Sequence, residues 1–123
     1  MNQPLISIIT PSYNRAEMIR EAVESILVQD YPSMEHIIID GGSTDGTLSI
    51  LKQYPPLKIR TEPDNGIYDA LNKGLGIANG EIIGFLNTDD FYTQDTFNNP
   101  CSLKILPSST FMLLLILRLV ILA

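Results

Sequence analysis

Between residues 5 and 90, short runs of apolar, mostly β-branched residues alternate with longer stretches whose apolar residues recur at helical spacing. That alternation allows few architectures. Residues 5–10, 36–40, 57–60 and 82–86 read as strands. Met18, Ile19, Ala22, Val23, Ile26 and Leu27 predict a helix after the first, with Asn14 as its cap and Glu17 reaching back. Leu48, Ile50 and Leu51 predict a short second helix, opened by Ser, Thr or Asp and stopped by Tyr54-Pro55-Pro56. Ile67, Ala70, Leu71, Gly74, Leu75 and Ala78 predict a third, with Asn79-Gly80 as its C-terminal cap. The order β-α-β-α-β-α-β predicts an α/β fold around a parallel sheet with right-handed crossovers.

The strand at 82–86 runs directly into Asn87-Thr88-Asp89-Asp90. A straight strand sends adjacent side chains to opposite faces, but one that ends and bends brings both carboxylates to the sheet's carboxyl edge. Two acids crowded there repel unless a cation, a proton or a donor separates them. Their hard oxygens favour Mg²⁺ or Mn²⁺ shared with substrate phosphates. The plain alternative is a helix cap followed by a solvated acid. Pro11-Ser12-Tyr13-Asn14 and Asp40-Gly41-Gly42-Ser43 end the first two strands on the same edge. Tyr13 is there either to pack or to stack on a base, and Asp40 either to cap a turn or to accept hydrogen bonds from a ligand.

Composition narrows the partners. A chain of 123 residues with 45% hydrophobic content has room for one folded domain. A net charge of −6 and a pI near 4.5 argue against nucleic acid or an anionic membrane as partner, though not against phosphate ligands neutralised locally. The lone Cys101 leaves no internal disulfide, and His36, just before an apolar strand, reads as structural or surface-lying. Residues 1–4 do not resemble a signal peptide, so a cytoplasmic location is expected. Residues 1–92 read as one domain and residues 93–123 as an atypical tail, apolar from Phe111 onward except at Arg118. That run is shorter than the ~20 residues needed to span a bilayer, and it breaks the patterning before it, as a truncation or a shifted reading frame would. Weak membrane association is the most it suggests.

Four stretches then carry a family resemblance: Ser7 to Arg15, Ile38 to Thr47, Asp64 to Gly74, and Gly84 to Asp90. In that order and at those intervals, residues 4–92 resemble the N-terminal, donor-binding half of a family 2 glycosyltransferase with the GT-A fold. The resemblance implies a nucleotide-sugar-binding domain, with UDP-sugars as the expected donors. Transfer would go with inversion to a carbohydrate or lipid-linked acceptor, as in polysaccharide biosynthesis. It implies that Pro11 and Tyr13 border the nucleobase, Asp40 holds its polar edge, and Asp64 lies near the base pocket. It further implies that Asp89 faces the ribose and that Asp90, closing a DxD-type motif, ligates Mn²⁺ or Mg²⁺ at the diphosphate.

The chain departs from the family pattern at three places. Gly41 stands where many members carry a second acid, Leu71 where many carry a base, and Asn87 where many carry Asp. The family's general base would follow the motif, where Asp95 is the only acid after Asp90 and reads as a solvated loop residue. Donor binding without turnover is therefore the alternative expectation. A Rossmann-type dinucleotide site is disfavoured, because Pro11-Ser12-Tyr13 replaces the expected G-x-G-x-x-G.

Overall fold

Consecutive isoleucines build the centre of the sheet, because β-branched side chains fit a pleated surface covered on both faces. The computed structural model describes residues 4–89 and, as backbone, Ile116–Leu117. Along the chain run β1 (Ile6–Ser12), α1 (Ile19–Leu27), β2 (Met34–Asp40), α2 (Thr47–Leu51), β3 (Lys58–Thr61), α3 (Ile67–Ile77), β4 (Ile82–Phe85) and β5 (Ile116–Leu117). The strands lie in the order β3-β2-β1-β4-β5. The first four pair in parallel, as the alternation predicts, and β5 pairs antiparallel with β4 through Ile82↔Leu117 and Ile83↔Ile116. Asp90, Asp95, Cys101 and the rest of the apolar tail lie outside the described residues. Among those described, no helix is long and apolar enough to cross a membrane.

Strand alternation divides the core into two layers. Ile6 and Ile8 pack with Ala22 and Ile26 of α1, and Ile38 packs with Ile19, Val23 and Leu51, so α1 and α2 share one face. Ile9, Ile37, Ile39 and Ile83 pack with Ala70 and Ala78 on the α3 face. Apart from Ile26, which is 6% exposed, each of these isoleucines is fully buried, worth ~1.5–3 kcal/mol apiece. His36 takes the structural alternative. It is buried on the α1 face, with Nε2 2.7 Å from Thr10 Oγ1.

Two caps differ from expectation. α1 starts at Ile19, and Asn14 caps nothing: it takes a left-handed φ of 51° and bridges to the loop after β2. α3 does end before Asn79-Gly80, but Gly80 is not a left-handed cap. The chain turns extended at Ala78, and Gly80 lies hard against β1, where an added Cβ would sit 2.7 Å from Ser7 N and 2.8 Å from Leu5 O.

Candidate functional site

Where the strand order reverses, β1 has β2 on one side and β4 on the other, and the chains leaving β1 and β4 part to open a crevice. Open α/β sheets bind ligands at such points, outside the carboxyl ends of the strands. A cavity of about 390 Å³ lies there. Pro11, Ser12, Tyr13 and Arg15 line it from the end of β1, and Asn87, Thr88 and Asp89 from the end of β4. The loop after β3 and the start of α3 contribute Asp64, Gly66, Ile67 and Ala70. Of the residues singled out from the sequence, Pro11, Tyr13, Asp64 and Asp89 thus share one cavity. Asp90 lies just beyond the described residues.

Tyr13 is 56% exposed, so its ring is free to cover a planar ligand. Ser12 is buried, and its hydroxyl has no hydrogen-bond partner among the described residues, which leaves an unmet polar atom at the cavity wall. Among the described residues, Arg15 is the only cation lining the cavity, and its guanidinium makes one long contact, 3.5 Å to Asn14 O. A cation at a strand edge beside carboxylates suits a phosphorylated ligand. The sequence reading gave Arg15 no role. Its place directly after the strand-ending Pro-Ser-Tyr-Asn was the signal available.

Asp40 does not line the cavity. Ile39 packs against Ala70 on the α3 face, so the next residue points to the opposite face. Its Oδ2 accepts from Gly42 N at 3.0 Å, Ser43 N at 2.8 Å and Thr61 Oγ1 at 3.0 Å, while Oδ1 accepts from Ser43 Oγ at 2.6 Å. Four protein donors thus engage this one carboxylate, three of them at Oδ2. Asp40 thereby fixes the Gly41–Ser43 loop, and Ser43 Oγ in turn accepts from Asn14 N at 2.8 Å. Thr44 N donates to Asn14 Oδ1 at 2.8 Å, Arg15 N to Thr47 Oγ1 at 2.9 Å, and Ala16 N to Asp45 Oδ2 at 3.1 Å. The loops after β1 and β2 are thus stitched together, and the segment carrying Tyr13 and Arg15 is held from behind.

Asp64 sits at the open end of this framework. Its Oδ1 accepts from Gly66 N at 3.1 Å, and its carboxyl lies over Gly41. No group of three His, Cys, Asp or Glu able to hold a metal occurs among the described residues. The oxygens at the end of β4, from Asn87, Thr88 and Asp89, are nonetheless the donor type a hard divalent cation takes.

Comparison with known proteins agrees with this geometry. The chain is 43% identical over 98 residues to the Bacillus subtilis protein TuaG, named for teichuronic acid biosynthesis as a glycosyltransferase; the match covers 76% of the chain and 39% of TuaG. In structure it is similar to Staphylococcus aureus TarS 1–349, with a TM-score of 0.75 and 30% identity over 80% of this chain and 31% of that one. TarS has also been solved with UDP-GlcNAc. The mannosyltransferase PcManGT of Pyrobaculum calidifontis, solved with GDP-Man and Mn²⁺, matches with a TM-score of 0.67 and 34% identity, covering 74% of this chain and 29% of its own. The chain therefore spans about two fifths of the curated relative's length and about a third of these structures. The fold is that of the GT-A glycosyltransferases. The sequence profile of glycosyl transferase family 2 matches residues 7–99, and the chain belongs to that family.

Proposed function

We propose that residues 1–92 form the nucleotide-sugar-binding part of a metal-dependent, inverting glycosyltransferase. The reaction moves a sugar from a nucleotide-diphosphate donor, UDP-sugars first among them, to a hydroxyl of a carbohydrate or lipid-linked acceptor. The observation that carries this reading is the cavity at the β1/β4 crossing point, where an exposed aromatic, a free cation and two carboxylates meet. Support also comes from similarity to proteins solved with UDP-GlcNAc and with GDP-Man and Mn²⁺.

In this reading Pro11 and Tyr13 border the nucleobase, Asp64 lies beside it, and Asp89 faces the ribose. Arg15 offsets diphosphate charge, and Asp40 holds the loop behind the base. Asp90, with diphosphate oxygens, would hold Mn²⁺ or Mg²⁺, which when bound stabilises the departing diphosphate as a Lewis acid. A cytoplasmic location, peripheral to the membrane where the acceptor is lipid-linked, goes with this reading. A second reading, donor binding without turnover, is favoured by one observation: among the described residues, the acids lining the cavity are Asp64 and Asp89, both of which this reading assigns to the nucleotide.

Titration of the chain with UDP, with and without Mn²⁺, tests the proposal. Removing even indirect partners of a metal costs ~10–100-fold in affinity, so Asp90→Ala should weaken metal-dependent UDP binding by at least that much. Equal affinity in wild type and variant, unchanged by EDTA, would exclude it.

A further inference from the structure

A second concave surface lies between α3 and β4. Ile67, Tyr68, Leu71 and Leu75 of the helix line it with Phe85 and Asn87, and it encloses about 380 Å³. Ile67 and Tyr68 are exposed, and Leu71, Leu75 and Phe85 are only partly buried. An apolar groove of this kind beside a sheet edge calls for an occupant.

The pairing of β5 indicates which. It runs antiparallel to β4, with Ile82↔Leu117 and Ile83↔Ile116. Continued along β4, that register sets position 114 opposite Phe85 and position 112 opposite Asn87. Residues directly opposite share a face, so positions 112 and 114 fall on the face of the two residues through which β4 lines the groove. In the other direction the register sets Arg118 opposite Glu81. Residues 111–123 carry no other charge, and Glu81 is exposed and makes no ion pair among the described residues. A slip of two residues would set Arg118 opposite Ile83 or Asn79 instead. The unbroken apolar run also has the composition of a strand covered on both faces.

We propose that the groove between α3 and β4 is the docking site of the chain's own residues 111–118, laid along β4 as an antiparallel strand. Met112 and Leu114 fill the groove, and Arg118 pairs with Glu81. Leu113, Leu115 and Leu117 fall on the opposite face, beside Leu86 and Ile82. Thr110 then stands opposite Asp89, and residues 90–109 form the connecting loop. Asn87 lines both the groove and the cavity at the β1/β4 edge, so the docked segment backs that wall of the cavity. None of this depends on the donor-binding reading.

Cross-linking in the 123-residue chain, with Cys101→Ser to remove the native thiol, tests the proposal. Opposite Cβ atoms of an antiparallel pair lie ~4.5–5.5 Å apart, near what a disulfide needs, and a slip of two residues adds ~7 Å along the strand. Glu81→Cys with Arg118→Cys should therefore oxidise within one chain at least ~10-fold faster than Glu81→Cys with Val120→Cys. Leu71→Cys with Leu114→Cys keeps the ion pair and reads the face: a short bismaleimide should join it faster than Leu71→Cys with Leu113→Cys. Adding Glu81→Arg should slow the Leu71–Leu114 link, and adding Arg118→Glu as well should restore it. Equal rates within both comparisons overturn the proposal. So does linkage found only between chains, which assigns the groove to a second copy, and so does linkage lost on adding phosphatidylcholine vesicles, which assigns the segment to lipid.

Discussion

The Asp40 carboxylate accepts three hydrogen bonds at Oδ2 and one at Oδ1, so the protein itself uses most of its accepting capacity. Asp40→Ala would leave Gly42 N, Ser43 N and Thr61 Oγ1 unmatched and free the Ser43 hydroxyl that holds Asn14. Hydrogen bonds to charged groups are worth ~1.5–3 kcal/mol each, so the variant should lose at least ~2 kcal/mol in urea denaturation. A variant of native stability with lost nucleotide affinity would instead make Asp40 a ligand contact. His36 offers a second measurement. Burial holds its pKa down at about 3, against an ordinary 6.5. As pH falls below 6.5 the unfolded chain takes up a proton that the folded chain refuses, so stability is full above 6.5 and declines toward pH 3. Burial pushes Glu35 upward, but hydrogen bonds from Lys58, Ser7 and Asn79 N outweigh it and hold its carboxyl below the ordinary 4.5. Its loss with acid falls in a lower window than the upper part of the His36 decline. Between pH 6.5 and 5, therefore, the stability of His36→Gln should vary less with pH than wild type. Equal slopes would show that His36 is protonated in the folded protein.

At the scale of elements, the helices supply positions and the glycines supply clearance. α3 packs Ala70 against Ile9 and the other isoleucines of its face, and its N-terminal end brings Asp64 and Gly66 to the cavity. Gly74, in the middle of α3, lets that helix approach the sheet: an added Cβ would lie 2.4 Å from Ile9 Cγ2. A Cβ at Gly80 would meet two backbone atoms as well as the Ser7 hydroxyl, and backbone cannot turn aside. Overpacked sites typically lose ~1–3 kcal/mol, and Gly80→Ala should fall at the upper end of that range, because Ser7 N and Leu5 O belong to the central strand and its entry. A thermal melt unchanged from wild type would mean that the Ala78–Glu81 connection shifts freely. Asp45, two residues before α2 begins, accepts from Thr47 N at 3.0 Å and Thr47 Oγ1 at 2.5 Å at the helix start. Its second oxygen ties α2 to the loop after β1.

For the molecule as a whole, the described residues form a cavity at the β1/β4 edge, and in the proposed reading none of their acids is left to act as a general base. Asp69 accepts from Asn65 N at 2.9 Å and pairs with Lys73 at 3.4 Å, and these interactions keep its carboxyl below the ordinary range. Lacking a general base typically forfeits ~10²–10⁴ in rate. The 123-residue chain should therefore bind nucleoside diphosphates yet transfer no sugar detectably from UDP-, GDP- or dTDP-linked donors. Robust metal-dependent transfer by purified monomer would place the base in Asp69 or Asp95. Either result leaves the nucleotide-binding measurements intact, because binding and proton removal draw on different groups.

Periodicity by itself determined the four parallel strands, the three helices between them and the sheet edge at which Pro11, Tyr13, Asp40 and Asp89 end their strands, because burial on two faces imposes continuous apolar runs and burial on one imposes helical spacing. Local chemistry was less informative at the loops. Asn14 has a cap's side chain, but its partners are Ser43 and Thr44, about thirty residues away along the chain. Asn79-Gly80 has the composition of a helix stop, and only the packing of α3's exit on β1 shows that Gly80 serves for clearance. Asp40 and Asp64 look alike in sequence, as single acids beside glycine. Tertiary structure separated them: strand alternation turns Asp40 into the protein against four donors, whereas Asp64, on the loop after β3, lines the cavity. A side chain's type follows from the sequence, but whether its hydrogen bonds are already spent depends on which distant residues the fold brings beside it.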